Sequence, residues 1–474
     1  MKSTTIVAFL ASILATQTDA RSLENRAPQP KVVSLTTQRN AVSNPIHRDR
    51  LRRRDTSRAE LDNEETLYFV NGTIGTPAQS VRMHLDTGSS DLWVNTPSSM
   101  ICSQKSKPCS LAGTYDANSS STYEFVGSWF NISYVDGSGA SGDYVSDTIT
   151  IGESTLDRLQ FGVGYQSTSE QGILGIGYAT NEVQVGRAGL KQYENLPMKM
   201  VSAGKIAKNA YSLWLNDLDA NTGSILFGGV DTAQYKGSLS TLPIQANNGV
   251  FSEFMITLTG VTLGNTTIAN NQALAVLLDS GSSLTYLPDT MVESIYNQVN
   301  AQYDENQGAA YVPCSLADET QTLDFTFSDP KISVEMNELV IDLVSSNGRR
   351  PTFSNGQTAC LFGICPAGSG TNVLGDTFLR SAYVVYDLDK NEISIAQTNF
   401  NTTTSNVKEI ASGSTIPDAT AVANPVDATE GIVRGTGNGN TVLGSNNSAA
   451  ATGASLSALT VVLSFIFGIF ITIL

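Results

Sequence analysis

Short runs of apolar and β-branched residues, separated by turn residues, recur along the chain at 67–74, 81–85, 92–94, 129–134 and 148–151. Such runs predict strands. Helix-period patterning is rare. Its clearest instance predicts a helix over 290–303, with Thr290 and Glu293 as a capping box and Val292, Ile295, Tyr296, Val299 and Tyr303 on one face. The run Tyr383-Val384-Val385-Tyr386-Asp387-Leu388 predicts a late strand. The chain therefore reads as mostly β, and its 474 residues suffice for two cores.

The flanks are patterned differently. Residues 1–20, with Lys2 ahead of an apolar run at 6–15, read as a secretory signal peptide cleaved after Ala20. The stretch 21–58 carries 10 Lys/Arg against 3 acids, clustered at His47-Arg48-Asp49-Arg50-Leu51-Arg52-Arg53-Arg54. It is expected to be a basic propeptide, cut by a processing protease near Arg54. From Thr402 the composition turns to Ser, Thr, Asn, Gly and Ala, so 401–447 is expected to be a stalk that buries too little apolar surface to fold. The uncharged tail 458–474 is 17 residues long, against about 20 for a spanning helix. Small residues at 446–450, a spacer and this tail fit a glycolipid (GPI) attachment signal, with Asn447 as the attachment site and 448–474 removed. A retained transmembrane anchor is the alternative.

Two stretches between these flanks are near copies: His84-Leu85-Asp86-Thr87-Gly88-Ser89-Ser90 and Leu277-Leu278-Asp279-Ser280-Gly281-Ser282-Ser283. In each, an apolar run delivers a carboxylate into a turn of small residues, where Gly permits a tight backbone and hydroxyls can hold the carboxylate. Each copy is followed, at a similar distance, by an apolar-apolar-Gly segment, Ile173-Leu174-Gly175 and Val373-Leu374-Gly375. The duplication predicts two lobes, 59–243 and 244–400.

On these motifs, and on Leu374-Gly375-Asp376-Thr377-Phe378-Leu379-Arg380-Ser381-Ala382-Tyr383, residues 66–398 resemble the pepsin-like aspartic proteases, nearest the fungal yapsins and candidapepsins. The resemblance implies a bilobal fold of two pseudo-symmetric β lobes around a cleft. It further implies a monomeric endopeptidase acting on proteins or peptides without a cofactor. Asp86 and Asp279 become the catalytic pair, which shares one proton and activates a water with no covalent intermediate. Thr87 and Ser280 would brace the loops, Ser89 and Ser282 would bond the outer carboxylate oxygens, and Gly88 and Gly281 would permit the turns. Tyr134-Val135-Asp136-Gly137-Ser138 matches the flap that closes over substrate, with Tyr134 supported by Trp93. A bare Asp-Gly hairpin is the bland reading of the same residues.

Five Cys in a secreted chain allow two disulfides at most. The resemblance pairs Cys102 with Cys109 and Cys314 with Cys360, which leaves Cys365. With no Cys-x-x-Cys and 2 His in all, no zinc site is expected. Sequons at Asn71, Asn118, Asn131, Asn265 and Asn401 agree with secretion.

Two residues bear on specificity. Asp136 on the flap would favour Lys or Arg before the cut, as the yapsin resemblance implies, or would only cap its turn. His84 shares a strand face with Asp86, and either lines the cleft or packs. A Ser-His-Asp enzyme is disfavoured because no Gly-x-Ser-x-Gly accompanies His84. The net charge of −16 disfavours nucleic acid as a partner. A binding protein on the same fold, or a wall-anchored structural protein, would cut nothing, but both Asp loops are intact.

Overall fold

A computed structural model describes residues 30–43, 64–134, 137–220, 222–343 and 350–432. The alternating runs of the first half become β1 (Val33–Ser43), β2 (Glu64–Ile74), β3 (Gln79–Asp86) and β4 (Leu92–Asn95), followed by strands at Glu124–Ser133, Gly139–Ile151 and Ser154–Ser167. Their cores are made of Val, Ile, Leu, Tyr and Phe side chains that the pleat turns to one side, including Tyr68, Val70, Met83, Leu85, Val145 and Phe161.

The two halves repeat one topology. In the first, β3 runs parallel to Gly172–Gly175, with Asp86 opposite Gly175, and Gly172–Gly175 pairs antiparallel with β4. In the second, Leu274–Leu278 runs parallel to Val373–Leu374, which pairs antiparallel with Thr285–Leu287. The glycine after each apolar pair is sterically required. A Cβ on Gly175 would stand 2.7 Å from the backbone nitrogens of Ser90 and Asp91, and one on Gly375 would overlap the carbonyls of Ser282 and Leu284.

The halves are joined by a shared sheet. Ala382–Asp387, from late in the chain, pairs with Ala210–Trp214 of the first half and with Glu392–Thr398. Tyr211 stacks on Tyr386 at 4.9 Å, and Phe254 meets Tyr386 edge-on at 4.7 Å. This is the bilobal, mostly β architecture expected from the duplication.

Two expectations are corrected, and one segment forms a strand that the sequence reading did not predict. The helix runs Asp289–Val299, entered after Pro288 with no side-chain cap, so Thr290 and Glu293 form no capping box. Asn300, at φ 52°, ends it, and Tyr303 lies in the strand Gln302–Asp304. Within the presumed propeptide, β1 is no appendage: it pairs with Thr222–Phe227 on one side and β2 on the other. The presumed stalk is folded as far as residue 432. Val407–Glu409 pairs with Gly229–Asp231, and Ala419–Ala421 with Tyr235–Pro243. Ile410 and Ile416 bury against Trp214, Tyr235 and Tyr383, aromatic surface contributed by other segments, which a local composition count omits. The signal, the basic run 47–54 and the tail with Asn447 lie outside the described residues.

Candidate active site

Asp86 ends β3 and Asp279 follows Leu274–Leu278, so each carboxylate stands where a buried strand opens into a turn. Each is held alike. The N–H of Gly88 donates to Asp86 Oδ1 at 2.8 Å and the Ser89 hydroxyl to Oδ2 at 2.5 Å. The N–H of Gly281 donates to Asp279 Oδ1 at 2.8 Å and the Ser282 hydroxyl to Oδ2 at 2.7 Å. Each loop presses on the other's carboxylate. A Cβ on Gly88 would stand 2.5 Å from Asp279 Oδ1, and one on Gly281 would overlap Asp86 Oδ1. No larger residue fits either position.

Thr87 and Ser280 lock the loops through four reciprocal buried hydrogen bonds. Thr87 Oγ1 donates to the Leu278 carbonyl at 3.0 Å and accepts from the Ser280 N–H at 2.9 Å. Ser280 Oγ donates to the Leu85 carbonyl at 3.0 Å and accepts from the Thr87 N–H at 3.2 Å. At about 1 kcal/mol net each, these bonds fix the carboxylates' separation more than they stabilise the fold.

Above Asp86, the Trp93 indole N–H donates to the Tyr134 hydroxyl at 2.7 Å. Trp93 is fully buried among Phe130, Ile132, Tyr144 and Ile173. Burial, then the charge of Asp86, pushes the Tyr134 phenol well up, so it stays protonated. The Tyr134 N–H donates to the Ser138 carbonyl at 2.8 Å, and Gly137, at φ 74°, turns the chain between the hairpin strands. Gly137 is exposed and Ser138 half-buried. Val135 and Asp136 lie outside the described residues. His84 is 3 % exposed, two residues before Asp86, with its ring 5.8 Å from that of Phe69.

Sequence reasoning missed an acidic cluster beneath the flap. Buried Asp91, five residues past Asp86, accepts from Tyr144 Oη at 2.6 Å, Val183 N–H at 2.9 Å and Tyr193 Oη at 3.0 Å. An acid set directly against the apolar run Leu92-Trp93-Val94 was the signal that could have found it. Neighbouring Glu182 is 1 % exposed; its Oε2 accepts from the Tyr193 N–H at 2.8 Å, and Oε1 has no partner among the described residues. Burial pushes its carboxyl up to about 10, and the charge of Asp91 adds to the rise.

Folded Glu182 thus keeps its proton where the unfolded chain, with an ordinary value of 4.5, loses it. Its contribution to stability is complete below about pH 4.5 and declines as pH rises towards 10, by up to about 1.4 kcal/mol per unit. Urea unfolding of Glu182→Gln between pH 4 and 8 should therefore show a flatter decline than the parent's. Parallel slopes would exclude a protonated Glu182.

Disulfides join Cys102 to Cys109 and Cys314 to Cys360, and Cys365 is buried outside both. Cys314, Asp342 and Cys360 converge, but the disulfide consumes both sulfurs as metal ligands. Asn71, Asn118, Asn131, Asn265 and Asn401 are all exposed.

The profile of the family described as eukaryotic aspartyl protease matches residues 67–398. "Probable aspartic-type endopeptidase opsB" of Aspergillus oryzae is 54% identical over 435 residues, covering 90% of this chain and 88% of its own. "Candidapepsin-3" of Candida albicans is 39% identical over 364 residues, covering 75% and 85%. The crystal structure of an aspartic proteinase from Irpex lacteus superposes with a TM-score of 0.58 at 21% identity, over 79% of this chain and all of that one, which supports the fold. The chain belongs to the eukaryotic aspartyl protease family, in its pepsin-like fungal branch, and is an aspartic-type endopeptidase.

Proposed function

We propose that Asp86 and Asp279 are the catalytic dyad of this endopeptidase. The observation that carries the assignment is the interlocked pair of mirrored loops, each holding one carboxylate by one amide and one hydroxyl. One carboxylate, ionised, takes a proton from a bound water; the other, protonated, donates to the scissile carbonyl. A tetrahedral diol forms and collapses with proton transfer to the leaving amine. Outer-oxygen bonds from Ser89 and Ser282 steady the carboxylates, and the loop brace sets their separation. Tyr134, fixed by Trp93 and kept as a phenol, closes over the substrate, with Gly137 and Ser138 at the hairpin tip. His84 lies at the base of the same face.

The enzyme acts outside the cytoplasm. Residues 1–20 have the composition of a signal peptide, and one relative is named "Secreted aspartic protease 3", of Candida albicans. Five exposed sequons are consistent with glycosylation on that route. Among the described residues no helix is long and apolar enough to cross a membrane. The glycolipid signal around Asn447 tethers the monomeric enzyme to the cell surface, and the basic run ending at Arg54 is where a processing protease cuts.

Asp136 sets the preference for Lys or Arg on the N-terminal side of the cut, through its charge on the flap. The test compares kcat/KM for peptides differing only in Lys or Leu at that position. Asp136→Ala should lower the Lys:Leu ratio about tenfold, equivalent to about 1.4 kcal/mol, while the Leu peptide is cleaved as before. An unchanged ratio would leave Asp136 as a turn cap.

A further inference from the structure

Tyr134 stands on a wall built by distant segments. It directly follows the strand Glu124–Ser133, which pairs with Gly139–Ile151 to make the hairpin. Phe130, Ile132 and Tyr144 of this hairpin cluster with Trp93, Ile173 and Val183, and Tyr134 and Tyr193 pack against them. The rings touch in sequence. Tyr193 meets Tyr144 edge-on at 5.9 Å, Tyr144 meets Phe130 edge-on at 5.2 Å, Phe130 lies 6.4 Å from Trp93, and Trp93 bonds the Tyr134 hydroxyl.

Asp91 is where this wall is tied down. Its Oδ1 accepts from the hydroxyls of Tyr144 and Tyr193, and its Oδ2 from the Val183 N–H. One carboxylate therefore joins the hairpin strand Gly139–Ile151, the short helix Val183–Gly186 and the segment that follows it. That segment touches the hairpin again. Arg187 donates to the carbonyl of Asn131, three residues before Tyr134, and Gln184 Oε1 accepts from Gln160 at 2.8 Å and from Trp129 at 3.5 Å. Asp91 also lies two residues before Trp93, so its own backbone carries the indole that holds Tyr134. Burying a carboxylate at 1% exposure is costly and is met here by three donors. Packing alone would be served as well by an apolar side chain.

We propose that Asp91 is a positioning residue for the flap. It holds Tyr144, Val183 and Tyr193 as one wall, and through Phe130 and Trp93 this wall fixes where the Tyr134 hydroxyl sits when the flap closes over a peptide. Asp91 thereby acts on peptide cleavage without touching the substrate. The proposal rests on the reading of Tyr134 as the flap tyrosine, and the experiment separates the two.

A double-mutant cycle on kcat/KM, run well below each variant's thermal midpoint, reads the coupling. Asp91→Asn keeps the side chain's shape but sets an NH2 against the Val183 N–H or the two phenols, and should lower kcat/KM about tenfold, as misplacement of a positioning group does. Tyr134→Phe removes the hydroxyl that Trp93 holds and should lower it at least as much. With that hydroxyl gone, adding Asp91→Asn should lower kcat/KM by less than about twofold more. In enzyme carrying isotope-labelled tryptophan, the Trp93 indole N–H resonance, assigned by its absence in Trp93→Phe, should move in Asp91→Asn towards its position in Tyr134→Phe. Should Asp91→Asn not fold, Tyr144→Phe takes its place, since it keeps the ring against Phe130 and loses only the donor to Asp91. The proposal is overturned by an unchanged kcat/KM in Asp91→Asn, by the full loss recurring in the Tyr134→Phe background, or by an unmoved indole signal. Those failures leave Tyr134→Phe impaired; an unimpaired Tyr134→Phe would defeat the flap reading itself, and the proposal with it.

Discussion

Replacing Asp279 with Asn should lower kcat/KM for peptide cleavage by about a thousandfold or more, the scale at which a positioned acid or base contributes. The amide is nearly isosteric and can keep the Gly281 N–H bond to its oxygen at the Oδ1 position. What it loses is a group that can be ionised or protonated at will. The Ser282 hydroxyl, which donates to Asp279 Oδ2 at 2.7 Å, must then turn or face an amide nitrogen. Because Thr87 and Ser280 hold the loops without help from either carboxylate, the variant should fold and bind peptide with little change. Steady-state kinetics beside a thermal melt decide: a matching loss of stability would shift the explanation to structure, and retained activity would remove Asp279 from the chemistry.

Removal of the Glu338 carboxylate should cost about 3–5 kcal/mol of stability. Arg380 and Glu338 form an ion pair at 0 and 1% side-chain exposure. Arg380 Nε donates to Glu338 Oε2, an Arg380 terminal nitrogen donates to the Glu338 carbonyl, and the Leu218 N–H donates to Oε1 at 3.1 Å. Glu338 thus connects a first-half loop to the short helix Asp376–Leu379, whose first N–H groups bond the carbonyls of Ser282 and Ser283 beside the second Asp loop. Glu338→Ala strands a buried guanidinium, whereas pairing Glu338→Leu with Arg380→Met removes both charges and should be far milder. Chemical denaturation of the single and double variants checks this, and equal losses would contradict it.

The Asp loops were legible in the sequence because their chemistry tolerates little else. Gly88 and Gly281 each face the opposite carboxylate with no room for a Cβ, and Gly175 and Gly375 face backbone just as closely. Local rules place such residues. Strand positions were equally readable, since the run at 81–85 lies within Gln79–Asp86 and that at 92–94 within Leu92–Asn95. Local rules failed where the partner is distant. β1 reads as part of a basic leader until its inward Val33 and Leu35 meet Thr222–Phe227, and 401–432 reads as a stalk until Ile410 meets Tyr383. Asp91 and Glu182 were hidden for the same reason, their environment being supplied by Tyr144 and Tyr193. At 290–303 the error was local: Pro288 sets the helix entry, and Asn300 closes it before Tyr303.

The most direct test of the dyad is calorimetric binding of a peptide analogue with a secondary alcohol in place of the scissile carbonyl, a mimic of the tetrahedral diol. Analogues of this kind bind a complementary site at least about a hundredfold more tightly than substrate. The parent enzyme should bind it tightly, and both Asp86→Asn and Asp279→Asn should weaken binding about a hundredfold or more, because the alcohol is held by the two carboxylates together. Equal affinity for the parent and either variant would contradict it.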